Sequence, residues 1–346
     1  MLLNAADKQI DGVHLDGKNG ATLTVSANTQ LGVIGGGNGN LAKLVFDDGK
    51  NVTFNGKLGL TPLVANDYSS LSEIDFAGKA AVLKIDAKGG GAITLANASV
   101  ETANASKAKL DVDTDLIVNH ASFAKIKLFD IAEAKKLKFG TEATGITGDI
   151  TTIADSRWGL AENSKVEFNM DTTAADRKIT LSAELSEGLN DERGVITFGA
   201  HGSKKLTIAG ANIGNANDKR LKELKLVGSG DIEFTTADKS VFAKNITVDN
   251  AATTTFKGEV DGGADSTLEF AKEGTVKFEN TTGITSVDFH NKAATIEIVG
   301  AETLTGDIKA NGVNAGTAGT LKFTGAGGGS VIGAIGTVGT LTLIEV

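Results

Sequence analysis

One local pattern recurs along the whole chain: an aliphatic residue, a polar residue, then Phe. It stands at Val52-Thr53-Phe54, Ile74-Asp75-Phe76, Leu137-Lys138-Phe139, Val166-Glu167-Phe168, Ile196-Thr197-Phe198, Ile232-Glu233-Phe234, Leu268-Glu269-Phe270, Val276-Lys277-Phe278, Val287-Asp288-Phe289 and Leu321-Lys322-Phe323. Successive side chains of an extended chain point to opposite sides, so apolar-polar-apolar alternation marks a strand with one buried face. The Phe residues of these triplets, roughly two thirds of the 15 in the chain, are expected to point inward. Aliphatic versions such as Leu23-Thr24-Val25, Leu83-Lys84-Ile85, Ile246-Thr247-Val248 and Ile296-Glu297-Ile298 lie between them.

The spacing narrows the fold further. Leu224, Ile246 and Leu268 open triplets roughly 22 residues apart, and Ile232, Thr254 and Val276 open a second series at roughly the same interval. A fixed period of this length marks a repeat architecture. Each strand is short, and the connections are filled with Gly, Asn, Asp and Thr, residues that tolerate positive φ or cap turns. Such a unit cannot bury its own inner face, whereas coils stacked in parallel bury it against each other. The pattern predicts an all-β fold, a right-handed parallel β-helix (β-solenoid) of roughly 22-residue coils, each with two short strands and a less regular third. An antiparallel sandwich array is the competing architecture. It usually needs a large buried aromatic anchor, and the chain has one Trp and one Tyr.

Residues 1–346 are read as a single elongated solenoid segment. A less regular insertion is expected near 140–195, where Arg157, Trp158, Met170, Arg177 and Arg193 interrupt the period. Within Asp130-Ile131-Ala132-Glu133-Ala134-Lys135-Lys136, Asp followed three residues later by Glu, with Lys beyond, predicts one or two turns of helix.

Charge and composition exclude several functions. A net charge of -9 argues against nucleic acid as a partner, because that affinity rests largely on Lys and Arg releasing counterions. The absence of Cys removes disulfide frameworks, thiolate zinc sites and cysteine nucleophiles. With no apolar run of about 18 residues, this segment is not expected to insert directly into a membrane as a helix. The start, Met1-Leu2-Leu3-Asn4-Ala5-Ala6-Asp7, lacks the basic and apolar regions of a signal peptide, so the chain is taken as a piece of a longer exported protein.

Residues able to carry chemistry are few. His14, His120, His201 and His290 have no metal-ligand or relay spacing and are expected as solvated side chains. Asp111, Asp113 and Asp115 alternate along an expected strand, which would project three carboxylates from one face toward a Ca²⁺ ion; a solvated strand face is the preferred reading. Gly35-Gly36-Gly37-Asn38-Gly39-Asn40 partly matches calcium-binding Gly-rich turns, but Leu41 stands where a ligating Asp belongs. A polysaccharide-degrading enzyme would need paired carboxylates and exposed aromatics. Asp155 and Glu162 flank Trp158, and Asp47-Asp48 are adjacent, but neither arrangement defines a catalytic geometry. No enzymatic activity is expected, and no cofactor beyond a possible Ca²⁺.

Toward the C-terminus, Asn311-Gly312-Val313-Asn314-Ala315-Gly316-Thr317-Ala318-Gly319-Thr320-Leu321-Lys322-Phe323-Thr324-Gly325 runs into Val331-Ile332-Gly333-Ala334-Ile335-Gly336-Thr337-Val338-Gly339-Thr340-Leu341. This stretch resembles the passenger repeats of the rickettsial surface cell antigens, autotransporters that include outer-membrane proteins A and B. The resemblance implies an extracellular passenger segment at the bacterial cell surface, anchored to the outer membrane through a region absent from this chain. It implies surface coat, adhesion or host-cell contact as the role, with a host cell-surface protein or further copies of the chain as partners. A self-assembling S-layer or filament subunit is the alternative: Val331 to Val346 is apolar, Gly-rich and nearly uncharged.

Overall fold

The computed structural model describes residues 2–3, 8–10, 21–31, 41–46, 50–54, 66–67, 71–77, 80–87, 91–101, 103, 105–185, 192–215, 219–235, 241–310, 318–336 and 341–346. The chain divides into two compact units, Met1–Glu167 and Phe168–Val346. Both are built from short strands paired in parallel.

Among the described residues, three parallel sheets hold most of the strands of the first unit. One orders Leu2–Leu3, Ala21–Val25, Leu41–Phe46, Glu73–Asp75 and Ser99–Val100. Another orders Lys8–Ile10, Thr29–Leu31, Asn51–Phe54, Val82–Ile85, Lys109–Val112, Leu128–Ile131 and Arg157–Leu160, and the third orders Asn66–Asp67, Ile93–Leu95, Leu116–Val118 and Lys136–Phe139. Register stacks like on like: Leu31, Phe54, Ile85, Val112, Ile131 and Leu160 form one inward ladder. Every member of it is buried. A slip of one residue would turn each of these side chains to solvent, so burial itself fixes the register.

In the second unit one sheet orders Arg193–His201, Leu221–Gly228, Val241–Asn250, Val260–Phe270, Thr282–Asp288, Thr303–Lys309 and Ser330–Ile332. Another orders Arg177–Leu181, Leu206–Gly210, Ile232–Phe234, Thr253–Phe256, Thr275–Phe278, Thr295–Val299, Ala318–Thr324 and Leu341–Glu345. Leu224, Ile246 and Leu268 are direct partners, as are Ile232, Thr254 and Val276, so both sequence series are ladders of stacked coils. The less regular third strand is also present. Val241, Val260, Thr282 and Leu304 pair in turn, and register shifts separate them from the main ladder of the same strands. A bulge bends its strand, which lets one long strand serve two faces.

Coil length is less uniform than the sequence suggested. Partners lie 19 residues apart at Leu110 and Phe129 but 31 apart at Val52 and Leu83. Lengthening a connection costs little free energy, so coils of unequal length can share one ladder. The stretch 140–195 carries the strands Ile150–Thr151, Arg157–Leu160, Lys165–Asp171 and Arg177–Leu181. Trp158 lies in the inner ladder against Phe129, with ring centroids 3.8 Å apart. The helix expected at 130–136 is absent. Ile131 and Lys136 belong to two strands, and Ala132 to Lys135 is a turn with Ala134 at φ 56. The charge pattern suits a helix start, but pairing Ile131 with Val112 and Leu160 buries its side chain, which a short solvated helix would not do.

Of the ten triplet Phe residues, all but Phe323 are buried. Phe234, Phe256 and Phe278 stack face on face, with centroids 4.8 and 5.7 Å apart. Thr254 interrupts the neighbouring aliphatic ladder: it is fully buried between Ile232 and Val276, and its hydroxyl has no hydrogen-bond partner. A buried unpaired hydroxyl costs about 1–3 kcal/mol. Thr254→Val keeps the shape and removes that cost, so it is expected to raise stability by about 1 kcal/mol in urea unfolding.

Candidate functional site

Outward positions of the strands carry the polar residues that the inner ladders exclude. In the second unit Lys178, Thr207, Glu233, Thr255, Lys277, Glu297, Lys322 and Glu345 occupy one outward row, each the register partner of the next. Strand pairing alone brings these charges together. Lys205 and Lys257, each two positions from its own row member, donate to Glu233 at 3.0 Å. Partial burial alone would raise the Glu233 carboxyl, but the hydrogen bonds from Lys205 and Lys257 prevail and hold it below its ordinary value of 4.5. A depressed folded value contributes stability that is present above the unfolded pKa and lost as pH falls through the folded one. Glu233→Gln is therefore expected to destabilise by about 1 kcal/mol near neutrality, with the difference closing below about pH 4 in unfolding experiments.

The first unit holds a comparable knot. Lys43 bridges Glu73 and Asp75 at 2.8 Å each, and its hydrogen bonds to Asp75 and then Glu73 raise its ammonium pKa.

The three candidate calcium ligands are not brought together as a cluster. Asp111 lies on Lys109–Val112, between Lys84 and Asp130 in register. Burial raises its carboxyl above the ordinary range, against the pull of Lys109. Asp113 lies just past the strand end and pairs with Lys84 at 2.6 Å. Asp115 lies beyond the turn and accepts the Lys136 amide at 3.0 Å. The strand ends before the alternation that would align all three has run its course. Among the described residues, no group of three or more His, Asp or Glu side chains is arranged to hold a metal ion.

Other candidates are likewise scattered. His120 caps the short 3₁₀ turn Ala121–Lys125, accepting the Ser122 amide, and His201 bonds Asn169 at 3.0 Å. His290 sits in a turn at φ 46, and His14 lies outside the described residues, as do Gly35 to Asn40 and Asp47-Asp48. Trp158 is buried, so it offers no face to a sugar, and the Asp155 side chain is well exposed beside Lys127.

One feature was not read from the sequence: an open depression in the second unit, beside Gly283, Gly306 and Asp307. Its signal was a Gly at an outward strand position, flanked by the buried Thr282 and Ile284.

The chain is similar to Outer membrane protein B of Rickettsia japonica (strain ATCC VR-1363 / YH), at 26% identity over 94% of this chain and 22% of the relative. It is also similar to Outer membrane protein B of Rickettsia rickettsii, at 28% identity over 92% of this chain and 22% of the relative. The chain thus spans about a fifth of the length of the curated relatives it matches. No family model and no solved structure matches. The resemblance to rickettsial surface antigens, carried in the sequence by the C-terminal repeats, therefore extends over nearly the whole chain. Among the described residues, no helix is long and apolar enough to cross a membrane.

Proposed function

We propose, from a relationship to two proteins named Outer membrane protein B that covers 92–94% of this chain, that it is a segment of a bacterial cell-surface protein with a structural or adhesive role and no catalytic one. That relationship carries the reading. The parallel ladders support a β-solenoid passenger, and parallel crossovers are right-handed in about 98% of cases, which favours a right-handed helix. Polar outward rows support it further. Charged residues already paired across coils leave a solvated, patterned flank suited to distributed contact with a host cell-surface protein. Anchorage in the outer membrane would come from parts of a longer chain.

Antibodies raised against this chain should label intact cells that make it, and the purified chain should bind host cells saturably, with binding lost after host-surface proteolysis. Labelling only after permeabilisation, together with no saturable binding, would overturn the proposal. Turnover of a polysaccharide that disappears in Asp155→Asn or Glu162→Gln would overturn the non-catalytic part.

A further inference from the structure

The second unit carries an open depression of about 460 Å³, within the range of roughly 300–1,000 Å³ typical of small-ligand sites. It lies where Val260–Phe270, Thr282–Asp288 and Thr303–Lys309 pass through successive register shifts. Bulges of this kind are over-represented beside functional sites.

Gly283 is the informative residue. A Cβ there would meet nothing nearer than the Val260 carbonyl oxygen at 4.0 Å, and its φ is not one reserved for glycine. Neither packing nor backbone geometry requires a glycine, although glycine weakens a strand interior. What its absent side chain does is leave the floor of the depression bare. Gly306 differs: it has φ +147, and a Cβ there would collide with the Ile284 carbonyl, so the stacking of coils explains it.

The polar groups around this floor are preorganised. Thr285 is held by the Ser266 hydroxyl, which accepts the Thr285 amide at 2.9 Å, and its own hydroxyl donates to the Gly263 carbonyl at 3.2 Å. Asp261 is neutralised by Arg220 at 3.3 Å and accepts the Gly263 amide at 2.8 Å. Asp307 accepts the Ala334 amide at 2.9 Å and has no ion-pair partner among the described residues. Ile332, 63% exposed, supplies an apolar wall. The depression therefore offers one uncompensated carboxylate, threonine hydroxyls, bare backbone and one aliphatic face. The carboxylate and hydroxyls accept from hydroxyl donors and the carboxylate's charge repels polyanions, while bare backbone and Ile332 suit the C–H face of a sugar ring.

We propose that this depression binds a short neutral oligosaccharide, lying over Gly283 with its hydroxyls donating to Asp307. The proposal concerns this depression alone and stands apart from the surface role above. Calorimetric titration of the purified chain with cellotetraose, maltotetraose, tetragalacturonate and spermine tests it. At least one neutral tetramer should bind with a dissociation constant below about 1 mM, and the uronate should not. Gly283→Val fills the floor and, on the spacing above, should leave the thermal midpoint in place while weakening binding at least about tenfold, or about 1.4 kcal/mol. Asp307→Asn, which keeps the oxygen that accepts the Ala334 amide, should also weaken binding. Failure of both neutral tetramers to bind, binding of spermine or the uronate in their place, or unchanged affinity in a folded Gly283→Val or Asp307→Asn chain overturns it.

Discussion

Phe256→Ala is expected to destabilise the protein by about 3–5 kcal/mol, the range for removing a large aromatic side chain from a core. Phe256 is fully buried and sandwiched between Phe234 and Phe278, so truncation breaks two stacked contacts and opens a cavity in the middle of a ladder. Flanking coils cannot close that gap without breaking their own pairing, with Phe234 on one side and Phe278 on the other. Thr255→Ala, one residue away and pointing outward, should change stability by less than about 0.5 kcal/mol. Urea unfolding of the two variants checks the contrast. Equal losses would mean that the inward and outward faces have been misassigned.

The stacked core was legible because its signal is local and repeated. Leu224, Ile246 and Leu268 announce three coils at one spacing, and the structure pairs them directly. Legibility failed where the chain departs from that spacing. Between Val52 and Leu83 the register partners lie 31 residues apart, against 22 for Leu224 and Ile246, so one period does not carry across the whole chain. Thr254 was placed correctly as a ladder position, but a sequence does not show that its hydroxyl lacks a partner. At Asp130 to Lys136 a local charge pattern favoured a helix, and the long-range pairing of Ile131 overrode it.

Functional residues were harder to read for the same reason. Asp111, Asp113 and Asp115 look like one row in sequence, but only Asp111 is on the strand, beside Lys109 of that strand, while Lys84 and the Lys136 amide from neighbouring coils hold Asp113 and Asp115. Glu233 shows the converse. Nothing in its neighbourhood in sequence points to Lys205 and Lys257, which reach it only because adjacent coils stack in register. Gly283 reads as an ordinary turn former until its outward strand position is known.

Each stacked coil of the second unit is held by its neighbours. Two deletions compared by thermal unfolding test it most directly. Removing Ile246 through Thr267 takes out one whole coil and joins Asn245 to Leu268. Leu268 then stacks on Leu224 and Val276 on Ile232, in the register that Ile246 and Thr254 occupy now. Thr282 likewise replaces Val260 as the partner of Val241. Because each coil contacts only its neighbours, most of the fold should survive. Removing Ile246 through Phe256 leaves half a coil, and the strands that follow are forced out of register, turning core residues to solvent. The predicted result is cooperative unfolding at a modestly lowered temperature for the larger deletion and loss of cooperative unfolding for the smaller one. Equal loss in both, or a milder effect from the smaller deletion, would contradict the stacked-coil account.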